Sequence, residues 1–171
     1  MAFGTTTVAS ATAMLSWIFF DRVNGRKVSA LGACIGAVVG LVAITPAAGF
    51  VTIPHAIFIG FISAIISNLM CNWKRLKKVD DTLDVFACHG VGGIMGMILT
   101  AILAQGENAS LLHGGFEVFA HHMMALVLVS AFTFLGSLIL YKVTDMIIPL
   151  RVAEDSENIG LDLSQHDESC I

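Results

Sequence analysis

Charge is what this sequence has least of. Only 13% of its 171 residues are Asp, Glu, Lys or Arg, against roughly 25% in a soluble domain. That scarcity excludes an ordinary soluble globule and a disordered chain. The balance of 9 basic to 13 acidic residues, a formal net charge of −4, lacks the basic excess of a nucleic-acid binder. Proline is also rare, at 3 residues, so long segments run without a helix breaker. The 4 cysteines include no CxxC pair and make no disulfide framework. Cys34, Cys71 and Cys88 lie in or beside apolar segments and read as small hydrophobes, while Cys170 is in the tail. No basic residue precedes the first apolar run, so no cleavable signal is legible. Short segments of alternating polarity, the mark of an outer-membrane barrel, are missing too.

What is present is apolar length. Hydrophobic residues make up 56% of the chain and mean hydropathy is +0.84. Stretches of about 20 residues, enough to cross a bilayer as helices, alternate with short polar connections. The expected fold class is an all-α polytopic membrane protein with five transmembrane helices. They run over about Ala2–Phe20, Ala30–Ala48, Pro54–Cys71, Leu83–Ala104 and Val118–Ile148. Residues 1–148 form the membrane region and 149–171 a polar tail. Basic residues fill every second connection: Arg22, Arg26 and Lys27, then Lys74, Arg75, Lys77 and Lys78, then Lys142 and Arg151. Gly49–Ile53 and Gln105–Glu117 contain none. This pattern places the N-terminus outside and the tail in the cytoplasm. An odd number of spans entering abruptly from outside reads as the later part of a longer chain.

Gly32, Gly36 and Gly40 recur every four residues, a stripe that lets another helix approach closely. The first span carries Thr5, Thr6, Thr7, Ser10, Thr12 and Ser16, whose hydroxyls can bond to their own helix or a neighbour. Thr45 and Pro46 end the second span, as a simple helix end or as a vestibule wall in which Thr45 offers a hydroxyl.

His89 is the most informative residue. It lies about six positions, roughly 9 Å, into the fourth span, where an ionisable group is costly and is a functional candidate. On a regular helix Val85, Gly93, Gly96 and Thr100 share its face. Two readings stand: a narrow passage along a strip of small residues, or a histidine bonded to a neighbouring helix with glycines for packing. Asp80, Asp81 and Asp84 precede this span, and Asp84 is expected to cap the helix start or bond nearby; a proton-relay role is the sharper alternative. His55, His113, His121 and His122 fall on the outer side, without the spacing of a metal or haem site. Trp17, Phe19, Phe20, Phe50 and Trp73 read as interfacial anchors. Met95, Met97, Met123 and Met124 read as core filler. The acidic tail reads as a flexible or docking segment, or as an arm folding on basic loops. No catalytic triad is legible, and no cofactor or metal is expected.

Four blocks together resemble the ammonium transporter family (the Amt/Mep/Rh group). They are Leu31 through Phe50 with its Thr-Pro-Ala-Ala-Gly-Phe ending, Asp80 through Gly93 with Asp84 and His89, the glycine-bearing Ile94–Ala104, and the tail segment Gly160–Glu168. Their order and spacing match the family over nearly the whole chain. The resemblance implies a fold of eleven transmembrane helices built as inverted repeats and assembled as a homotrimer, with this chain resembling the last five. It implies ammonium or ammonia transport through a hydrophobic pore in which His89 matches the second of two histidines. Val85 matches a residue lining the pore below it, and Thr45 a hydroxyl near the path. Asp84, with Gly93 near it, is implied to support the helix start. Neutral ammonia crosses an apolar passage far more cheaply than the ion, and imidazole titrates near neutral pH. The first pore histidine and the outer gate match nothing in this chain. The implied partners are ammonium, the lipid bilayer, like subunits and a PII-type regulator at the tail; the implied location is the plasma membrane. The alternative is a non-conducting half-protein serving as a structural or regulatory partner of full-length subunits. Departures occur at Gly4-Thr5, at Ala87-Cys88, and in the His166-Asp-Glu-Ser ending, which differs from the family's usual tail.

Overall fold

The computed structural model describes residues 1–77, 81–106 and 109–169, without the side chains of 74–76. Among the described residues every regular element is helical. The order is α1 (Ala2–Val23), α2 (Ala30–Ile44), α3 (Ile53–Leu76), a π-helical turn (Phe86–Val91) running into α4 (Gly92–Leu103), a 3-10 turn (Leu111–His113) and α5 (Phe116–Ile147). Two short helices follow, α6 (Glu154–Ile159) and α7 (Leu161–His166). The chain divides into two compact units, Met1–Val127 and Leu128–Ile171.

In the first unit α1 packs against α2 and α3, and the π turn and α4 lie on α2 and α3. Glycine sets these distances. A Cβ on Gly40 would lie 2.5 Å from the Ala9 carbonyl oxygen and 2.7 Å from the Ala13 Cβ. One on Gly36 would lie 2.7 Å from the Trp17 Cβ. Gly60 of α3 meets the same Ala9 carbonyl, and Gly96 of α4 meets the carbonyl of Ala43. The glycine stripe read from α2 is therefore a close helix–helix contact. Ser10 Oγ donates across it to the Ala37 carbonyl at 3.1 Å, whereas Thr5, Thr7 and Ser16 bond back along α1. One stripe of α1 is buried, including Ala9, Ala13 and Trp17, while Phe3, Leu15 and Phe19 stay exposed.

Two apolar clusters fill the bundle. Ala9, Ala43, Ile44, Val51, Ile59, Leu99 and Leu103 form one. Trp17, Val39, Cys71, Ala87 and Cys88 form the other. Cys71 and Cys88 are thus core residues as the sequence suggested, while Cys34 is exposed; Cys170 lies outside the described residues.

Among the described residues four helical stretches are long and apolar enough to cross a membrane: Ala2–Val23, Ile53–Trp73, Phe86–Leu103 and Phe116–Ile147. The second expected span is shorter than its apolar run. α2 stops after 15 residues at Ile44, because Pro46 has no N–H to continue the ladder. Turns carry the chain on, with the Ala47 and Ala48 amides both donating to the Ile44 carbonyl and Phe50 N–H to Ala47. The Gln105 amide then donates to the Phe50 carbonyl at 2.6 Å, tying this corner to the end of α4.

In the second unit the tail, read as a flexible or docking segment or as an arm folding on basic loops, carries two short helices. α6 and α7 fold against each other around Gly160, whose φ of 104° is open to glycine. Ser164 Oγ donates to the Ser156 carbonyl at 3.2 Å. Arg151 forms a bidentate pair with Glu157, at 2.7 Å and 2.9 Å. That guanidinium holds the Glu157 carboxyl below its ordinary range.

These contacts predict opposite outcomes for one substitution at two glycines. Gly40→Ala forces a methyl onto the Ala9 carbonyl and should cost about 1–3 kcal/mol, as overpacking does. Gly136→Ala meets nothing within 4 Å and should leave the thermal unfolding midpoint in micelles unchanged. Equal midpoints for the two variants would contradict the close-contact assignment.

Candidate functional site

The site begins where the chain enters the π turn. The Asp81 carboxylate accepts from the Val85 amide at 2.9 Å and the Phe86 amide at 3.0 Å. It satisfies two of the free donors of a helix start. Asp84 was expected to cap the helix start or bond nearby; the Val85 and Phe86 amides are capped by Asp81. Asp84 instead takes a left-handed backbone, φ 54°, which Asp tolerates better than most residues. Its side chain is buried at 6% exposure, and its carbonyl accepts from the Cys88 amide at 2.9 Å. Asp80 lies outside the described residues, as do Lys78 and the side chains of Lys74 and Arg75.

His89 stands in the π turn itself. Here the i→i+5 bond takes in one more residue than an α turn. The face that a regular helix would carry from His89 to Gly96 and Thr100 is therefore broken. Gly96 and Thr100 are buried, Gly96 against Ala43 and Thr100 donating to the Gly96 carbonyl at 2.7 Å. His89 and Val85 are exposed, and Gly93 is half-buried. The expected strip of small residues is thus two surfaces. Gly96 packs the helix onto α2, as the second reading had it. Gly93 sits 4.0 Å from Val42 by its Cβ position, leaving room beside the histidine's side of the helix. His89 makes no hydrogen bond to a described residue and stands on a wall that the first unit itself does not cover.

Thr45 is exposed, and its hydroxyl donates back to the Leu41 carbonyl at 2.7 Å. What it presents outward is acceptor capacity. The outer histidines are held locally: His113 Nδ1 pairs with Ser110 Oγ at 3.0 Å, and His122 Nδ1 with the Val118 carbonyl at 2.9 Å. Among the described residues no group of three His, Cys, Asp or Glu side chains is placed to hold a metal ion.

One constellation went unread in the sequence. Arg26 Nε donates to Asp21 Oδ1 at 2.8 Å and Arg26 Nη2 to Asn68 Oδ1 at 2.5 Å. Asn68 Nδ2 returns to Asp21 Oδ1 at 3.0 Å, and Asn72 joins through Asn68. Asn68 and Asn72, four apart inside an apolar span, were the available signal.

The fold and site together define a polytopic helical membrane protein with an ionisable residue on an uncovered helix face. A family model, the Ammonium Transporter Family, matches residues 1–171. The chain is 40% identical over 166 residues to the ammonium transporter Amt1 of Archaeoglobus fulgidus, covering 95% of this chain and 42% of that one. It is 38% identical over 177 residues to an ammonium transporter of Bacillus subtilis, covering 98% and 43%. The crystal structure of the N240A mutant of Candida albicans Mep2 superposes with a TM-score of 0.84 at 33% identity, covering 96% of this chain and 39% of that one. This chain belongs to the ammonium transporter family. It spans about two fifths of the length of these relatives.

The π-turn geometry predicts that Asp81→Ala loosens the His89 segment, at a cost of about 1 kcal/mol for a lost helix cap. Hydrogen exchange at the Val85 and Phe86 amides should rise while amides within α1 keep their protection. Unchanged exchange at those two amides would contradict the cap.

Proposed function

We propose that this chain forms one wall of an ammonium or ammonia pathway, with His89 and Val85 facing the passage and Thr45 near its mouth. The observation that carries this reading is the exposed Val85–His89 face on a helix that buries Gly92 and Gly96 against its neighbours. An imidazole on an apolar helix can accept a proton or orient a neutral amine without presenting a fixed charge. Moving ammonia past it avoids the cost of carrying a bare ion through hydrocarbon. Asp84 and Gly93 support the turn that aims the histidine. The opposing wall comes from further helices of the same kind, in keeping with inverted-repeat transporters whose sites lie between halves. The assembly is a homotrimer in the plasma membrane. The basic connections hold the ends of α1 and α3 at the cytoplasmic face, and the tail is cytoplasmic as well. A PII-type regulator is the candidate partner for that tail.

The test is uptake of ammonium by transporter-deficient cells expressing the complete open reading frame that contains this chain. His89→Ala should lower uptake about a hundredfold, the low end for a group that handles a proton. Surface expression should be unchanged, because the imidazole takes no part in this chain's own packing. Normal uptake and ion selectivity in the variant would overturn the pore role. No uptake by the unmodified protein, together with altered uptake by co-expressed full-length subunits, would favour the non-conducting partner.

A further inference from the structure

A second polar feature lies where α1 ends and α2 begins, apart from the His89 face. A cavity of about 260 Å³ opens there, lined by Trp17, Asp21, Arg26, Lys27, Ser29 and Gly32, with α3 behind it. A water takes about 30 Å³ of liquid volume, so the space holds a group much larger than one solvent molecule. Trp17 is buried at 4% exposure, yet its indole N–H has no acceptor among the described residues. The indole nitrogen is not itself sealed from solvent, so it can donate into open space. The open acceptor position lies in this cavity. Trp17 Nε1, Ser29 Oγ and Asp21 Oδ2 converge at 3.3, 3.1 and 3.5 Å on the point where Gly32 would carry a Cβ.

The free groups around the cavity are mostly donors. Ser29 Oγ accepts from the Gly32 amide at 3.0 Å, which leaves its own proton to donate. Lys27 is exposed and pairs with no described residue. Asp21 is neutralised by Arg26 at 2.8 Å, so Lys27 is a surplus positive charge. The N-terminus of the 15-residue α2 adds its first amides and the positive end of its dipole. Donors, a surplus cation and a helix N-terminus together favour an oxyanion. Asp21 Oδ2 is the exception, because it accepts only. The ligand must therefore also bring a hydrogen-bond donor of its own.

We infer that this cavity is a binding site for a phosphate group carrying a neighbouring donor. A protonated inorganic phosphate meets that description through its P–OH. So does the phosphoethanolamine headgroup of a phospholipid, through its ammonium. In either case the phosphate oxygens take the Trp17 indole, the Ser29 hydroxyl and the Lys27 ammonium, and the donor faces Asp21 Oδ2. The site is independent of transport and stands or falls separately from the pathway through His89.

The test uses the purified chain in a phosphate-free maltoside detergent, with Trp73→Phe so that Trp17 alone reports by fluorescence. Inorganic phosphate, phosphoethanolamine and dioleoyl phosphatidylethanolamine in mixed micelles are titrated separately. A saturable change in Trp17 emission is expected with at least one of them. Lys27→Gln, at an exposed position that leaves the fold alone, should weaken the apparent Kd about tenfold, the scale of one charged hydrogen bond. Gly32→Ala should abolish the response by placing a methyl in the cradle. Saturation by inorganic phosphate assigns the site to a soluble anion. Saturation by the lipid alone assigns it to the membrane. No response to any probe, or a response that Lys27→Gln leaves unchanged, overturns the assignment.

Discussion

The carbonyl oxygen of Ala9 is the point on which the bundle turns. It lies against Gly40 of α2 and Gly60 of α3 at once, at distances no larger residue permits. α1 therefore has one place to go, in the groove between the other two helices. The same device recurs one layer out, where the Ala43 carbonyl receives Gly96 and seats α4 on α2. In a membrane, where apolar burial between helices gives little net drive, close van der Waals approach of this kind must carry the association. Both glycine contacts point inward, so the opposite side of the π turn is left open. The exposed position of His89 thus follows from where the glycines are.

Much of this was legible in the sequence because it rests on composition and period. Charge scarcity and apolar length gave the helices, and a four-residue glycine repeat gave the α1–α2 contact. The errors arose where the backbone leaves the 3.6-residue period. The π turn breaks the face shared by His89, Gly96 and Thr100, and no periodic argument detects such a turn. Asp84 likewise leaves the helical backbone, at φ 54°, and the Val85 and Phe86 amides are capped by Asp81. Both departures fall in one stretch of the chain, and it is the stretch that carries the functional candidate. Local irregularity of that kind is common at working sites.

The polar cluster of Asp21, Arg26, Asn68 and Asn72 was missed for a different reason. Its members come from α1, the first connection and α3, and only the fold brings them together. In the sequence Arg26 counted only as a basic residue of a connection, and Asp21, Asn68 and Asn72 drew no reading. Joined, they brace the end of the bundle opposite the Pro46 corner. A chain that spans about two fifths of its relatives thus has its own braced ends and its own core, while one wall with a histidine remains uncovered.

The measurement that tests this account most directly is ammonia flux through proteoliposomes containing the purified chain alone, followed by stopped-flow with an internal pH dye. A single wall encloses no passage, so the flux should equal that of protein-free liposomes. Flux above that level, abolished by His89→Ala, would mean that these helices enclose a complete pathway and would contradict the central claim.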